Sequence, residues 1–543
     1  MRLSRRTTYS LLSALVFANL LLRYPAVDHE MGVDSFVWHG MATSLQLNGH
    51  ALWILSPLSY LGLYPLSHPS GSPFLTVAAS ELSGQTIEAS ILLLDAAVAV
   101  LAVFVAFLLG WEFMRNEVFA LLLAAVLSLT PELLTALAWQ MPTRIMFTAL
   151  LPLFLWGLIR LSREPFRRHA LLTAATFLLM MSFHRLTVLV ALVAIAYVGT
   201  GILLTVLRML RAARPSLFLR RSFVSRSPYL AVFVLALIAA STLFLTDVLE
   251  QYSVGAVASG DSLEIQLLNL GVSLARGSGP LLPLSLLGVV AVAFQRNKTI
   301  KEPFVLVCYL VFVPMLFLRQ YTSYYTVPFT ALFIAFGLFA ILRRSLRPRL
   351  RFAVAGAAVG FLVASSAAIA GYDLRLTPAM PHETYCAALY VRDLASGTVI
   401  TNEGLIGSRL HAISGVPYLP VGGATTAFQS PELLMFRFLN VTLIRGEIVQ
   451  VPPQQLTVDS DSLFVLPTVQ AEADWDAMMR STVDAMPARY SIYSVRYLFE
   501  SKVLTGRYTA YGNVYPSALS ASAHATRYLA YDDEAGRMFF LGG

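Results

Sequence analysis

Apolar runs near the roughly 20-residue length of a bilayer-crossing helix recur from Ser10 to Leu374, and arginine-rich breaks separate them. The breaks carry Arg2, Arg5 and Arg6; Arg115; Arg160, Arg163, Arg167 and Arg168; Arg208 through Arg226; Arg296, Lys298 and Lys301; and Arg343 through Arg351. These groups hold 22 basic residues, whereas the segments between them hold five: Arg23, Arg144, Arg185, Arg276 and Arg319. Positively charged loops stay on the cytoplasmic side, so each stretch between two groups must cross twice. With one last helix this predicts eleven spans: 8–23, 87–109, 116–130, 143–160, 169–183, 186–207, 228–246, 278–295, 303–318, 324–342 and 351–371. The stretch from His169 to Leu207 would be roughly 58 Å long as one straight helix, about twice the hydrocarbon thickness. It must therefore turn, and His184-Arg185 is its charged interruption.

The first run starts basic like a signal peptide, but no A-x-A-like cleavage site follows and further spans do, so it reads as a retained helix. The N-terminus is then expected in the cytoplasm and residues 373–543 outside. The first external loop, Tyr24 to Gln85, is too long for a connector. An amphipathic helix is expected over Asp34–Asn48, after which Pro57, Pro65, Pro69 and Pro73 are expected to break the chain into short pieces. In the outer region the patterning predicts helices over His382–Leu394, near Gly407–Ile413 and over Val469–Met486. Strands are expected over Thr398–Thr401, Tyr490–Phe499, Arg507–Val514 and Arg537–Leu541, which makes an α/β external domain.

Composition agrees with a membrane protein. Of 543 residues 57% are apolar and 13% charged, against about 25% charged in an ordinary soluble domain. The net charge of +8 is unevenly placed, +12 over residues 1–372 and −4 over 373–543. The excess thus belongs to loops between apolar helices, not to a nucleic-acid surface. The two cysteines, Cys308 and Cys386, cannot form a disulfide framework or a thiolate cage by themselves. The expected architecture is a polytopic α-helical membrane domain, 1–372, followed by an extracytoplasmic α/β domain, 373–543, in an integral plasma-membrane protein.

The densest polar cluster is VDHEMGVDSFVWHG, residues 27–40. Asp28, Glu30 and Asp34, with His29 and His39, supply ligands for a divalent cation or a general base, or simply a solvated loop start. In LRQYTSYYTVPF, residues 318–329, Arg319 lies among Tyr321, Tyr324 and Tyr325. It suits either bidentate phosphate binding or an interfacial anchor in an aromatic belt. His184 and Arg185 could complete a phosphate site or anchor a helix turn. Asp95, inside the second span, is either functional or paired with a neighbouring helix. Glu403 lies in a loop between a strand and a glycine-bounded helix, a position for substrate contact or for dipole stabilisation alone. Asn440-Val-Thr442 is a sequon on the expected outer side.

The stretch GVDSFVWHGMATSLQLNGH, residues 32–50, resembles the first external loop of the GT-C membrane glycosyltransferases, the group that includes oligosaccharyltransferase catalytic subunits and protein O-mannosyltransferases. Gly32, Asp34, His39 and Gly49 match its G-x-D-x-x-x-x-H pattern and closing glycine, and PLSHPSGSPFLTVAASELSG, residues 65–84, agrees. The resemblance implies that Asp34 either activates the acceptor or helps hold a divalent cation, Mg or Mn, with Glu132. It also implies that Arg319 and Tyr324, with His184 and Arg185, bind the donor phosphate. His39, Asp28, Glu30, Glu132 and Glu403 would face the acceptor or stand behind the site. The second external loop holds one carboxylate, Glu132, where oligosaccharyltransferases carry an acidic pair, and the outer region lacks their W-W-D signature. An oligosaccharyltransferase proper is therefore not expected.

The function expected is transfer of a sugar from a polyprenyl-phosphate-linked donor to an acceptor on the outer face, with inversion. The acceptor could be a glycan, a lipid or a protein. The alternatives are a transporter or flippase of lipid-linked glycans, for which no half-repeat and no array of buried charges is visible, and an envelope anchor whose outer domain binds a partner.

Overall fold

The computed structural model describes residues 3–49, 69–141, 143–163, 167–210, 236–238, 263–295, 298–318, 323–344, 348–377, 379–394, 398–401, 404–416, 418–420, 441–444, 447–450, 495–501, 528–532 and 536–540. The expected span 228–246, the helix 469–486 and the strand 507–514 lie mostly or wholly outside them.

The N-terminal part is helical. In order come α1 (Arg5–Leu22), α2 (Val33–Asn48), α3 (Gly71–Ser83), α4 (Ile87–Met114), α5 (Glu117–Ser128), the one-and-a-half-turn α6 (Pro131–Ala136), α7 (Thr143–Arg163) and α8 (Arg167–Phe183). A 3₁₀ turn, Arg185–Leu189, leads into α9 (Val190–Leu210). Then follow α10 (Leu263–Ser278), α11 (Leu282–Ala293), α12 (Lys301–Leu318), α13 (Ser323–Arg344) and α14 (Pro348–Leu376). Among the described residues five helices are long and apolar enough to cross a membrane, or six if a bent pair counts as one. These helices and the fold mark an integral membrane protein.

Three expectations change. Pro73 does not break the chain but sits in the first turn of α3, where a missing N–H costs nothing. The expected span 278–295 is preceded by a helix, and α10 bends by 94° into α11 at Gly277-Ser-Gly-Pro280, with Gly279 at φ +84°. The segment 116–130 forms a 12-residue helix, about 18 Å, short of the roughly 30 Å hydrocarbon layer. The interruption at His184 appears where expected, as the residue before the 3₁₀ turn.

Helix α13 is the centre of the bundle and α14 its rim: their apolar stretches are 89% and 11% buried. Phe329, Phe333, Ile334 and Ala335 of α13 are fully enclosed. Helix α11 approaches α13 through Gly288 and Gly337, where an added methyl would meet the Phe333 and Leu284 carbonyl oxygens at 1.8 and 2.2 Å. Small residues at such crossings let backbones touch, which supplies the dispersion contact that drives helix association in lipid.

Charge sorts the two ends of this bundle. Three of the predicted cytoplasmic groups converge on the fully buried Glu112 near the C-terminal end of α4. Arg115 and Arg160 each lie 2.9 Å from its carboxylate and Lys301 3.7 Å. Arg23 donates to the Asn19 side chain at 2.7 Å and to the Ser128 carbonyl at 2.8 Å, tying α1 to α5, and it lies within electrostatic reach of Asp95. Asp95 accepts the Gln140 amide at 2.9 Å, so the intramembrane carboxylate anchors the 137–141 loop over α4.

Beyond α14 come α15 (His382–Leu394), β1 (Thr398–Thr401), α16 (Gly404–Ser414), β2 (Tyr418–Pro420), β3 (Val441–Ile444), β4 (Glu447–Gln450), β5 (Val495–Ser501), β6 (Tyr528–Asp532) and β7 (Gly536–Phe540). Five strands form one sheet in the order β2-β1-β5-β7-β6. β1 runs parallel to β2 and β5, and β7 is antiparallel to β5 and β6. β3 and β4 pair separately as an antiparallel ladder.

Candidate active site at the first loop

The turn that opens α2 is built on a glycine. Gly32 has φ +89°, and a Cβ there would come 2.7 Å from the Gln140 side-chain oxygen, so the loop can close over residues 137–141 only without a side chain. Met31 donates to the Trp139 carbonyl at 3.0 Å, and the Met380 amide donates to the Glu30 carbonyl at 3.1 Å. Beneath this turn Glu30, fully buried, accepts the Ser35 hydroxyl and, at 2.5 Å, His39 Nδ1. Ser35 Oγ in turn accepts the Met141 amide at 2.6 Å. Glu30 and His39 therefore face inward and fix the first turns of α2.

Asp34 takes the opposite direction. It lies in the first turn of α2, where the helix dipole favours a carboxylate, and its side chain is 63% exposed while ion-paired to Arg144. Arg144 sits in the first turn of α7, the end of a helix that disfavours a cation. Its charge reaches His184: burial first, then Arg144 and Arg185, hold that imidazole down to about 3. His184 is accordingly neutral, and because its Nδ1 accepts the Leu186 amide at 3.1 Å, its proton is on Nε2. The expected phosphate-binding histidine is thus a hydrogen-bond donor, not a cation.

The 3₁₀ turn is fastened to the central helix by Tyr325, whose hydroxyl donates to the Leu186 carbonyl at 2.5 Å and whose ring stacks on Phe312 at 4.5 Å. Tyr324 is half-buried against the same core. Two residues before Tyr325, Ser323 donates to Glu132 at 3.0 Å. Burial raises Glu132 to about 7, with the Ser323 hydrogen bond partly opposing it. Asp34 is thus bound to Arg144, which lies within electrostatic reach of His184, and Glu132 joins the start of α13. Arg319 and Glu403 lie outside the described residues, and Asp28 is exposed.

The pairing expected of Asp34 and Glu132 as metal ligands is not formed: one is bound to Arg144 and the other to Ser323. Among the described residues no three His, Cys, Asp or Glu side chains gather as metal ligands. This donor set does not fit a resident Mg or Mn ion.

Sequence reasoning missed the clasp around this loop. His29 Nδ1 meets Glu88 at 3.2 Å, and His29 Nε2 meets His382 Nδ1 of α15 at 3.0 Å. Tyr385 stacks on His29 at 4.0 Å; burial and then the Glu88 charge raise its phenol. The Thr43 hydroxyl donates to the Ala412 carbonyl of α16 at 2.6 Å, and Arg409 lies 5.3 Å over the Phe36 ring. Helices α15 and α16 therefore hold the segment that carries Asp34.

No protein-family model matches the chain, and no curated protein sequence does. Solved structures do match. The archaeal oligosaccharyltransferase AglB from Archaeoglobus fulgidus, in complex with an inhibitory peptide and a dolichol-phosphate, is 12% identical with a TM-score of 0.57 over 98% of this chain and 74% of that one. The same enzyme in complex with Zn and sulfate is 14% identical with a TM-score of 0.56 over 97% and 72%. ArnT from Cupriavidus metallidurans bound to undecaprenyl phosphate is 11% identical with a TM-score of 0.56 over 98% and 97%. At these identities the likeness establishes the fold, which is that of the GT-C membrane glycosyltransferases.

Proposed function

From a GT-C fold with an exposed carboxylate on the first turn of α2, we propose that this chain is an inverting membrane glycosyltransferase using a polyprenyl-phosphate-linked sugar. The observation that carries this reading is the ion pair of Asp34 with Arg144, which lies within electrostatic reach of His184 and so of the His184–Arg185 turn, a base near donors suited to a phosphate. The solved relatives hold dolichol-phosphate and undecaprenyl phosphate, which supports a lipid-linked donor here. Asp34 takes the proton of the acceptor hydroxyl as its oxygen attacks the anomeric carbon. The bond from that carbon to the phosphate oxygen breaks, and the electron pair leaves with the phosphate. Arg185, His184 Nε2–H and, from the 319–322 segment, Arg319 stabilise the departing charge.

The wider layout belongs to this proposal. Eleven spans place the N-terminus in the cytoplasm, residues 1–372 form the membrane domain with loop 24–85, and residues 373–543 form an extracytoplasmic α/β domain. The acceptor is a glycan, lipid or protein reached from the outer face.

Asp34→Asn tests the mechanism. The variant keeps the shape of the side chain, so it should elute like wild type in detergent while losing about 10²- to 10⁴-fold in transfer, the usual contribution of a general base. Transfer within threefold of wild type by a folded Asp34→Asn enzyme would remove the mechanism.

A further inference from the structure

Asp34 cannot act as a base while it is neutralised by Arg144, and this raises the question of what releases it. Arg144 stands at a helix N-terminus that opposes its charge. The ion pair is open to solvent, at 32% and 63% side-chain exposure, and exposed pairs of this kind hold their partners weakly. Arg144 also lies within electrostatic reach of the His184–Arg185 turn, and Phe147, one helical turn further along α7, has its ring 6.5 Å from that of His184. His184 is neutral, with Nδ1 pinned by Leu186 and its proton on Nε2, and Arg185 adds a second guanidinium. A phosphate carries more charge than a carboxylate and accepts a guanidinium fork bidentately.

We infer that Arg144 is a donor-responsive counter-ion: the phosphate of the lipid donor draws it away from Asp34, so that the base is freed only once the donor is in place. This rests on the reading of Asp34 as the base and of the His184–Arg185 turn as the phosphate site. It makes Arg144 a positioning residue and predicts a binding order, donor before acceptor activation. The carboxylate and the phosphate compete for one guanidinium, so removing the carboxylate must tighten the phosphate, and must do so only while Arg144 is present.

The experiment is a double-mutant cycle read by calorimetric binding of farnesyl phosphate, a prenyl monophosphate without sugar, to the full-length protein in detergent. Asp34→Asn should tighten binding about tenfold, a coupling typical of groups in contact, and Arg144→Gln should weaken it by a similar factor. Adding Asp34→Asn to Arg144→Gln should change binding less than threefold. If Asp34→Asn gives less than a threefold gain in the wild-type background, or gains that differ by less than threefold between the two backgrounds, the exchange is refuted and only bulk charge remains. If Arg144→Gln is not recovered as folded protein, Arg144→Lys replaces it; loss of the fork should then cut the Asp34→Asn gain to threefold or less, and an undiminished gain overturns the inference. Wild-type protein that binds no farnesyl phosphate sinks the donor reading as well, whereas binding without coupling sinks the exchange alone.

Discussion

The half-buried carboxylate of Glu132 at the start of α6 makes stability depend on pH in a direction that can be worked out. Glu132 packs against Gly277, where even a methyl would come 2.6 Å from Oε2, and its one described hydrogen bond is to Ser323 at 3.0 Å. Burial lifts it from an ordinary 4.5 to about 7. Between those values the folded protein holds a proton that the unfolded chain has released, so stability falls as pH rises from 4.5 through 7 and then levels off. A rise of this size is worth about 3 kcal/mol; because solvent reaches part of the side chain, about 2 kcal/mol is expected after screening. Glu132→Gln keeps the size and the acceptor for Ser323 but cannot ionise. Unfolding of purified protein in one detergent at pH 5, 6, 7 and 8 should give wild type and variant equal stability at pH 5, with the variant ahead by about 2 kcal/mol at pH 8. Parallel profiles that keep a constant offset would show that Glu132 is ionised in the folded state throughout, and the argument from burial would fail.

Two further substitutions probe the supports. Glu30→Gln removes the charge beneath α2 that accepts both Ser35 and His39; breaking such a buried cluster should cost about 3 kcal/mol and be seen as a lower unfolding midpoint, and an unchanged midpoint would mean the cluster is not what holds the turn. Gly288→Ala drives a methyl into the Phe333 carbonyl and should abolish recovery of monodisperse protein, while Gly199→Ala, where a methyl meets nothing within 4 Å, should purify like wild type.

Helical segments were legible because long apolar runs leave little choice of structure in a bilayer. α2 was legible because the glycine before Asp34 and the glycine after Asn48 bound an amphipathic stretch, and both glycines do carry positive φ, +89° and +69°. α15 and β1 fall where their patterns placed them. The site was legible only in part. Three acidic residues lie within seven positions of one loop, and a loop has no period from which to tell that Glu30 points inward and Asp34 outward. The partner of Asp34 is 110 residues away, and the clasp from His29 to His382 spans 353; no local pattern encodes such pairs. The bend between α10 and α11 had a local signal, the Gly-Ser-Gly-Pro at 277–280, that the search for uninterrupted apolar runs passed over.

The count of arginines contained more than topology. Five of them break the charge pattern that orients the chain, and a cation kept on the disfavoured side needs a local reason to be there. Arg23 lies within reach of Asp95, Arg144 pairs with Asp34, and Arg276 holds Asp373 through two nitrogens. Two exceptions to the rule, Arg144 and Arg276, are thus explained by a paired carboxylate. Arg185, buried at the 3₁₀ turn, and Arg144 both lie within electrostatic reach of the neutral His184 imidazole. Two guanidiniums near one turn favour an anion there, which under the proposed function is the donor phosphate. Under the proposed exchange Arg144 is the guanidinium that changes partners, because it has Asp34 to give up.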